Sequence, residues 1–381
     1  MLGLASGASA VTFDEVVNKI AGQSVAVTEA NARAEATARS EATAGNLGDT
    51  QIEGEYLWGK ENVDNKWNIG VSQSFDWPGV YSARRREAAE RTRAARYEAA
   101  ATFAQEQLNA RLALTDYVNA CRNIEVLAEV DDYLNALMKD VASTGDSELT
   151  VLDINKMKIE HARLKLQILQ WEDTRGEAVA TLRAIAPTED VASIISTLDP
   201  VYPVYTLLAP ADYVTAINND NRVKSLESTL EATRRATSVA AREALPGFSL
   251  GYVHAYEEQT HFNGLSAAIT LPLFSARGKK AAAVSETFAA STAVVALRSS
   301  LEAEIVSTCQ RARRLKESIN DLAPVFDTQN NVALLQKALN GGQISRLEFL
   351  TELTYILNAN QTYLDLLYQY NLAMARLCRY N

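Results

Sequence analysis

The sequence predicts a mainly α-helical protein with a small β part, duplicated in tandem. Three observations carry this. Segments recur about 196 residues apart: Glu35-Ala36-Thr37-Ala38-Arg39 returns as Glu231-Ala232-Thr233-Arg234-Arg235, Tyr56 returns as Tyr252, and Ser82-Ala83-Arg84 returns as Ser275-Ala276-Arg277. Ala, Leu, Glu, Arg and Gln, which lose little freedom in a helix, dominate the chain. Of only 8 prolines, Pro187, Pro200, Pro203 and Pro210 crowd into the joint between the copies. Finally, in each copy the apolar period switches from about 3.6 to about 2 and back, marking two short strands between helices. A repeat this long is half of a fold and not a solenoid unit.

Taken in order, residues 1–10 end in Ala8-Ser9-Ala10, which has the small-x-small form of an export-signal cleavage site; a plain unstructured terminus fits equally, and no cysteine follows to carry lipid. The first repeat occupies 11–186, a linker 187–210, and the second repeat 211–381. Phe13 to about Gly45 reads as one helix. Ile52, Gly54, Tyr56 and Trp58 then alternate with polar neighbours, as do Trp67, Ile69, Val71 and Phe75, giving strands at about 50–58 and 67–76 around a polar turn. In the second repeat Phe248, Leu250, Tyr252 and Tyr256 mark a strand at about 247–256. The turn Glu257-Glu258-Gln259-Thr260 follows, and Leu265, Ala267 and Ile269 mark a strand at about 263–271. Behind each hairpin runs a helix from about Tyr81 to Ser143 and from about Lys279 to Leu339, the latter kinked at Pro324. About 60 residues at about 1.5 Å each make a rod on the order of 90 Å, which no compact domain needs. The second return helix carries a heptad of Leu350, Leu357 and Leu364, with Leu353, Asn360 and Leu367 in the companion seam.

Composition excludes several function classes. A net charge of −10 argues against a nucleic-acid partner, which demands a concentrated basic surface. Cys121, Cys309 and Cys378 have no metal or redox spacing and read as small buried residues, with Cys121 and Cys309 at matching places in the two copies so that a disulfide stays open. His161, His254 and His261 form no ligand pattern, although the last two flank the second turn. Gly278-Lys279-Lys280 lacks the flanking residues of a phosphate loop. Its basic residues, like Arg84-Arg85-Arg86, follow a strand exit and would suit lipid headgroups. No nucleophile–base pair appears, so no enzyme, cofactor or metal site is expected.

No run of about 18 apolar residues exists, so a membrane could be crossed only by strands. Trp58, Trp67 and Trp77, with Tyr252 and Tyr256, suit aromatic girdles at bilayer interfaces. They equally suit a soluble sheet packing its rings on helices. Four strands cannot close a barrel, and an open edge cannot face lipid, so membrane-embedded hairpins require several chains to share one wall. Three chains would supply twelve strands.

The duplicated helix–hairpin–long-helix pattern, the strand exit Pro272-Leu273-Phe274-Ser275-Ala276-Arg277-Gly278 and the Gly-marked turns before the return helices together resemble the TolC-type outer-membrane efflux proteins, over essentially the whole chain. The resemblance implies a homotrimer in the outer membrane of a Gram-negative bacterium. It would have a 12-stranded transmembrane β-barrel in contact with outer-membrane lipid and a long periplasmic α-barrel of duplicated helix hairpins. It implies a passive exit duct for substrates from an inner-membrane pump and a periplasmic adaptor. By resemblance, adaptor hairpins would dock at Gly145, Leu149 and Thr150 of the first tip and Gly342, Ile344 and Ser345 of the second. Asp153 and Glu348 match acids that narrow the periplasmic aperture, and Arg346 would brace the closed tip; the family's second acid is Thr351 here. Acids at a helix start are also favoured simply by the helix dipole. The alternative function is a soluble periplasmic coiled-coil adaptor or scaffold.

Overall fold

The computed structural model describes residues 12–60, 64–144, 150–326 and 331–380. Residues 1–10 lie outside these, and so do Gly145 and Leu149 of the first tip. Helices α1 (Phe13–Gly22) and α2 (Val25–Ala42) precede strands β1 (Thr50–Leu57) and β2 (Lys66–Phe75). The first repeat continues with α3 (Pro78–Thr144) and α4 (Val151–Ile185). After α5 (Val191–Ser196), the second repeat supplies α6 (Pro210–Ala216), α7 (Asn221–Arg242), β3 (Gly247–Glu257), β4 (Thr260–Thr270), α8 (Lys279–Phe326), α9 (Asn331–Asn340) and α10 (Arg346–Leu377). Among the described residues no helix is long and apolar enough to cross a membrane.

Two expectations need correction. The helix expected over Phe13 to Gly45 is two helices, broken at Gly22-Gln23-Ser24. Gly22 is a poor helix former, and Ser24 is buried with its hydroxyl 3.4 Å from Glu106 Oε2. Pro324 lies inside α8, which is described through Phe326; residues 327–330, across which the expected helix would continue toward Leu339, lie outside the described residues. The segment 187–210 is more than a linker, since α5 and Leu198 bury Val191, Ile195 and Leu198 in a hydrophobic core.

The chain divides into two compact units, each drawn from both repeats. One comprises residues 1–29, 102–217 and 301–381. It holds two hydrophobic cores. In the first, Phe13, Val16, Val17 and Ile20 of α1 pack with Ala110, Leu114 and Val118 of α3, Leu182 of α4 and Val191 of α5. In the second, Leu127, Val130 and Leu134 of α3 meet Met157 and Leu164 of α4 and Phe349, Leu350, Leu353 and Leu357 of α10. Leu350, Leu353 and Leu357 of the second return helix thus lie in this core, while Leu364 is buried outside it and Leu367 is half-buried. Cys121, Cys309 and Cys378 are free thiols; Cys309 is buried and the other two are half-buried.

The other unit comprises residues 30–101 and 218–300. It contains one antiparallel sheet in the order β1-β2-β3-β4, so the hairpins of the two repeats join through β2 and β3. Register places Ile52, Val71, Tyr252 and Leu265 in one cross-strand row, and Tyr56, Trp67, Tyr256 and His261 in another. The second hairpin turns in two residues, Glu258 and Gln259, both at positive φ (48° and 60°), where a four-residue turn was expected. That is the backbone a tight, right-twisted hairpin needs, reached here without glycine. The helices beside the sheet meet through small residues: Val80, Ala83 and Ala88 of α3, Ala232 and Val239 of α7 and Ala283 of α8 are buried.

Candidate functional site

The sheet has two chemically different faces. Because directly opposed residues share a face, β1 through β4 put Ile52, Val71, Tyr252, Leu265, Ile69, Leu250 and Ile269 on one side. These side chains are open to their surroundings: Ile52 is 76%, Val71 44%, Tyr252 49% and Leu265 92% exposed. The opposite face carries Glu53, Glu55, Asn68, Ser72, Ser249 and Ser266, with Lys66 paired to Glu257. Gly70, Gly251 and Gly264 also lie on that face. A Cβ on Gly251 would stand 2.7 Å from Val71 O and 2.9 Å from Ser72 Cβ. Leu57, Val253 and Phe262 share that face, but its glycines, serines and charged residues, set against the large apolar residues of the other, suit a sheet curved with its polar face inward.

Aromatic rings mark both ends of the apolar face. Phe75 stacks on Phe248 at 5.5 Å at one end, and Trp67 stacks on Tyr256 at 6.0 Å at the other. Eight residues separate these rows, about 27 Å along the strand, or about 20 Å of height at the tilt of a closed barrel. Trp58 lies one residue past β1, 81% exposed and edge-on to Tyr56 at 5.4 Å. Trp77 lies between β2 and α3 and is exposed. His254 and His261 share the outward face and stack at 5.3 Å, and Asn263 Oδ1 meets Tyr252 Oη at 2.6 Å and His254 Nδ1 at 2.7 Å.

The helix-turn tips, in the other unit, are built by capping chemistry. At the second tip α9 closes with the N–H of Gln343 donating to Ala338 O at 2.9 Å and that of Gly342 to Leu339 O at 3.0 Å. This paired pattern requires a left-handed residue, and Gly342 supplies it at φ +66°. Ser345 then caps α10: Glu348 N–H donates to Ser345 Oγ at 3.2 Å, while Ser345 N–H and Oγ–H donate to Glu348 Oε2 at 2.8 and 2.9 Å. Ile344, just before the cap, packs against the second core, of which Phe349 is a member, and the two stand in the positions of a hydrophobic staple.

The first tip repeats this device 195 positions earlier. Asp153 N–H donates to Thr150 Oγ1 at 3.3 Å, and Thr150 returns hydrogen bonds to Asp153 Oδ2 from its hydroxyl (2.6 Å) and its N–H (3.1 Å). Lys156 Nζ stands 3.7 Å from Asp153 Oδ1. In the single chain both aperture candidates therefore turn their carboxylates back onto their own helix starts. Hydrogen bonds from Thr150 hold the Asp153 carboxyl below its ordinary range, and those from Ser345 do the same for Glu348. Both stay ionised at neutral pH. Arg346, the first residue of α10, donates from Nη2 to Asp140 Oδ2 of α3 at 2.7 Å. Thr351 spends its hydroxyl on Leu347 O at 3.0 Å.

Sequence reading missed two features here. Asp140 as the partner of Arg346 left no local signal. Leu152, Ile159 and Leu166 of α4, by contrast, are spaced by seven and exposed, an unpartnered heptad stripe legible in the first return helix. Among the described residues no cluster of His, Cys, Asp and Glu could hold a metal ion.

No family model matches the sequence, and no curated protein matches it. Solved structures do match. A membrane protein from Pseudomonas aeruginosa aligns with a TM-score of 0.80 at 16% identity, over 97% of this chain and 90% of that one. The outer membrane protein VceC of Vibrio cholerae aligns at 0.77 and 16% identity, over 96% and 95% of the two chains. The open state of the Neisseria gonorrhoeae MtrE outer membrane channel aligns at 0.75 and 13% identity, over 96% and 88%. At such identities the shared property is the fold, and it spans nearly the whole chain.

Proposed function

We propose that this chain, which has the TolC-type fold of outer-membrane channels, is one of three identical subunits of a passive outer-membrane duct. The observation that supports this best is the sheet: four strands with an exposed apolar face between two aromatic rows, a polar small-residue face behind it, and β1 and β4 as its two edges. Backbone groups on those edges cannot go unpaired in lipid. Pairing β4 of one copy with β1 of the next closes the wall, and three copies give twelve strands, within the range of closed barrels. The exposed stripe Leu152, Ile159 and Leu166 then faces a helix of the neighbouring copy.

In this reading the duct does no chemistry. Substrate arrives from an inner-membrane pump through a periplasmic adaptor that docks at Gly145, Leu149, Thr150, Gly342, Ile344 and Ser345. Exposure of Thr150, Ser345 and Val151 at the tips supports such a docking surface. Asp153 and Glu348 from three copies ring the aperture, and the Arg346–Asp140 bridge holds it narrow. Likeness to outer-membrane channels over nearly the full chain disfavours the adaptor reading. The test is reconstitution of the detergent-purified protein in planar bilayers, with its oligomeric state read by mass. Stepwise conductance from a trimer is expected; a monomer soluble in plain buffer that yields no steps would refute the reading.

A further inference from the structure

We propose that this chain carries a binding cleft for a phosphate group, formed by four guanidinium groups on α3 and α7 next to the strand ends. The cleft measures about 190 Å³ and is lined by Ala83 and Arg86 of α3 and by Glu231, Arg234, Arg235 and Arg242 of α7. Spacings of three, four, seven and eleven residues put the α7 members on one helix face. Ala83 is buried and ends at its Cβ, which leaves the floor open.

The charge in the cleft is unbalanced. Glu231, the one carboxylate among the described lining residues, lies 2.7 Å from Arg235 and 3.5 Å from Arg234. The neighbouring acids are engaged elsewhere: Arg84 takes Asp76 and Glu243, each at 2.7 Å, and Lys279 lies 3.8 Å from Glu243. Four cations thus line a cleft that holds one anion, in a chain whose net charge is −10. Arg242 is held in place by donating from Nη1 to Gly79 O at 2.7 Å, and a side chain on Gly79 would crowd that nitrogen at 3.0 Å. Planar guanidinium forks present paired N–H groups that match the oxygens of a phosphate.

Placement suggests where the phosphate comes from. Arg242 lies five residues before β3, and α3 starts three residues after β2, beside the stacked Phe75 and Phe248. If the sheet crosses a bilayer, which rests on the duct reading above, the cleft lies at or just beyond headgroup level on the helical side. The phosphate is then that of a phospholipid or a free anion from the water.

Calorimetry with inorganic phosphate and native mass spectrometry with phosphatidylglycerol, both on the full chain in phosphate-free detergent, test this. Saturable binding of one anion per chain is expected. The double variant Arg86→Gln/Arg234→Gln should bind at least about tenfold more weakly. Glu231→Gln should bind several-fold more tightly, because it removes the competing carboxylate; a merely structural role for Glu231 predicts no such gain. Displacement of the lipid by inorganic phosphate identifies an aqueous source, and lipid retention against it identifies a headgroup. Absence of saturable binding by both probes, unchanged binding in the double variant, or weaker binding in Glu231→Gln would overturn the proposal. Phosphate binding without channel steps would sink the duct reading alone, and channel steps without binding would sink this one alone.

Discussion

Arg346 and Asp140 meet at 2.7 Å across 206 positions of sequence, so the first residue of the second return helix is tied to the long helix of the first repeat. The side chains are 25% and 53% exposed, and water screens the pair. Such a contact is worth about 0–1 kcal/mol and sets geometry more than stability. Arg346→Ala should therefore change the unfolding free energy by less than about 1 kcal/mol, while raising single-channel conductance in planar bilayers. Asp140→Ala in the same background should add little; full additivity of the two conductance changes would separate the residues.

The acids can be neutralised without removing the caps. Glu348→Gln keeps a side chain that accepts from the Ser345 N–H, and Asp153→Asn does the same at Thr150. If six carboxylates ring an aperture, the double variant should lose cation preference, measured as a reversal-potential shift in a salt gradient. An unmoved reversal potential would remove both residues from the aperture and leave them as caps.

The same carboxylates set a pH dependence with a definite sign. Both are held below their unfolded values, so the stability they contribute is fully present above the unfolded carboxylate range of about 4–4.5 and is lost as pH falls through the lowered folded values. Unfolding curves for the wild type and the double amide variant should converge as pH drops below about 4. A gap that widens there would contradict the capping geometry.

The sheet faces predict opposite outcomes at adjacent positions. Leu265 lies in the row midway between the two aromatic rows, so Leu265→Arg should cost about 2–4 kcal/mol per chain if that face meets lipid. Ser266→Arg, on the other face, should leave the assembly intact and alter conductance. Gel mobility of the unheated assembly reads both; equal tolerance would argue against lipid contact.

Two glycines are required by geometry. Gly342→Ala forces a side chain into the left-handed region at the tip and should cost about 1 kcal/mol. Gly251→Ala drives a Cβ into backbone and should cost about 1–3 kcal/mol, read as a lowered midpoint of thermal unfolding.

The hairpins were legible because alternation on one face is a period-2 signal that survives in a single sequence: the strands expected at 50–58 and 67–76 are Thr50–Leu57 and Lys66–Phe75. The second turn was read too long because neither Glu258 nor Gln259 advertises positive φ. Thr150-x-x-Asp153 and Ser345-x-x-Glu348 were visible as acids at helix starts, and their reciprocal hydrogen bonds are what that spacing produces. The break at Gly22 was not legible, since a lone glycine within a helical pattern is often tolerated. The contact of Arg346 with Asp140, and the cleft that Arg86 shares with the α7 arginines, depend on how distant helices pack, which local pattern does not encode.

A reversal of chain direction completed by Glu258 and Gln259 alone leaves almost nothing projecting between β3 and β4. On the duct reading, this turn faces the cell exterior, so phage, antibody or an inserted epitope tag would find little purchase on the second hairpin. Insertions between β1 and β2 should display a tag on intact cells, whereas insertions at 258–259 should disrupt the paired strands themselves.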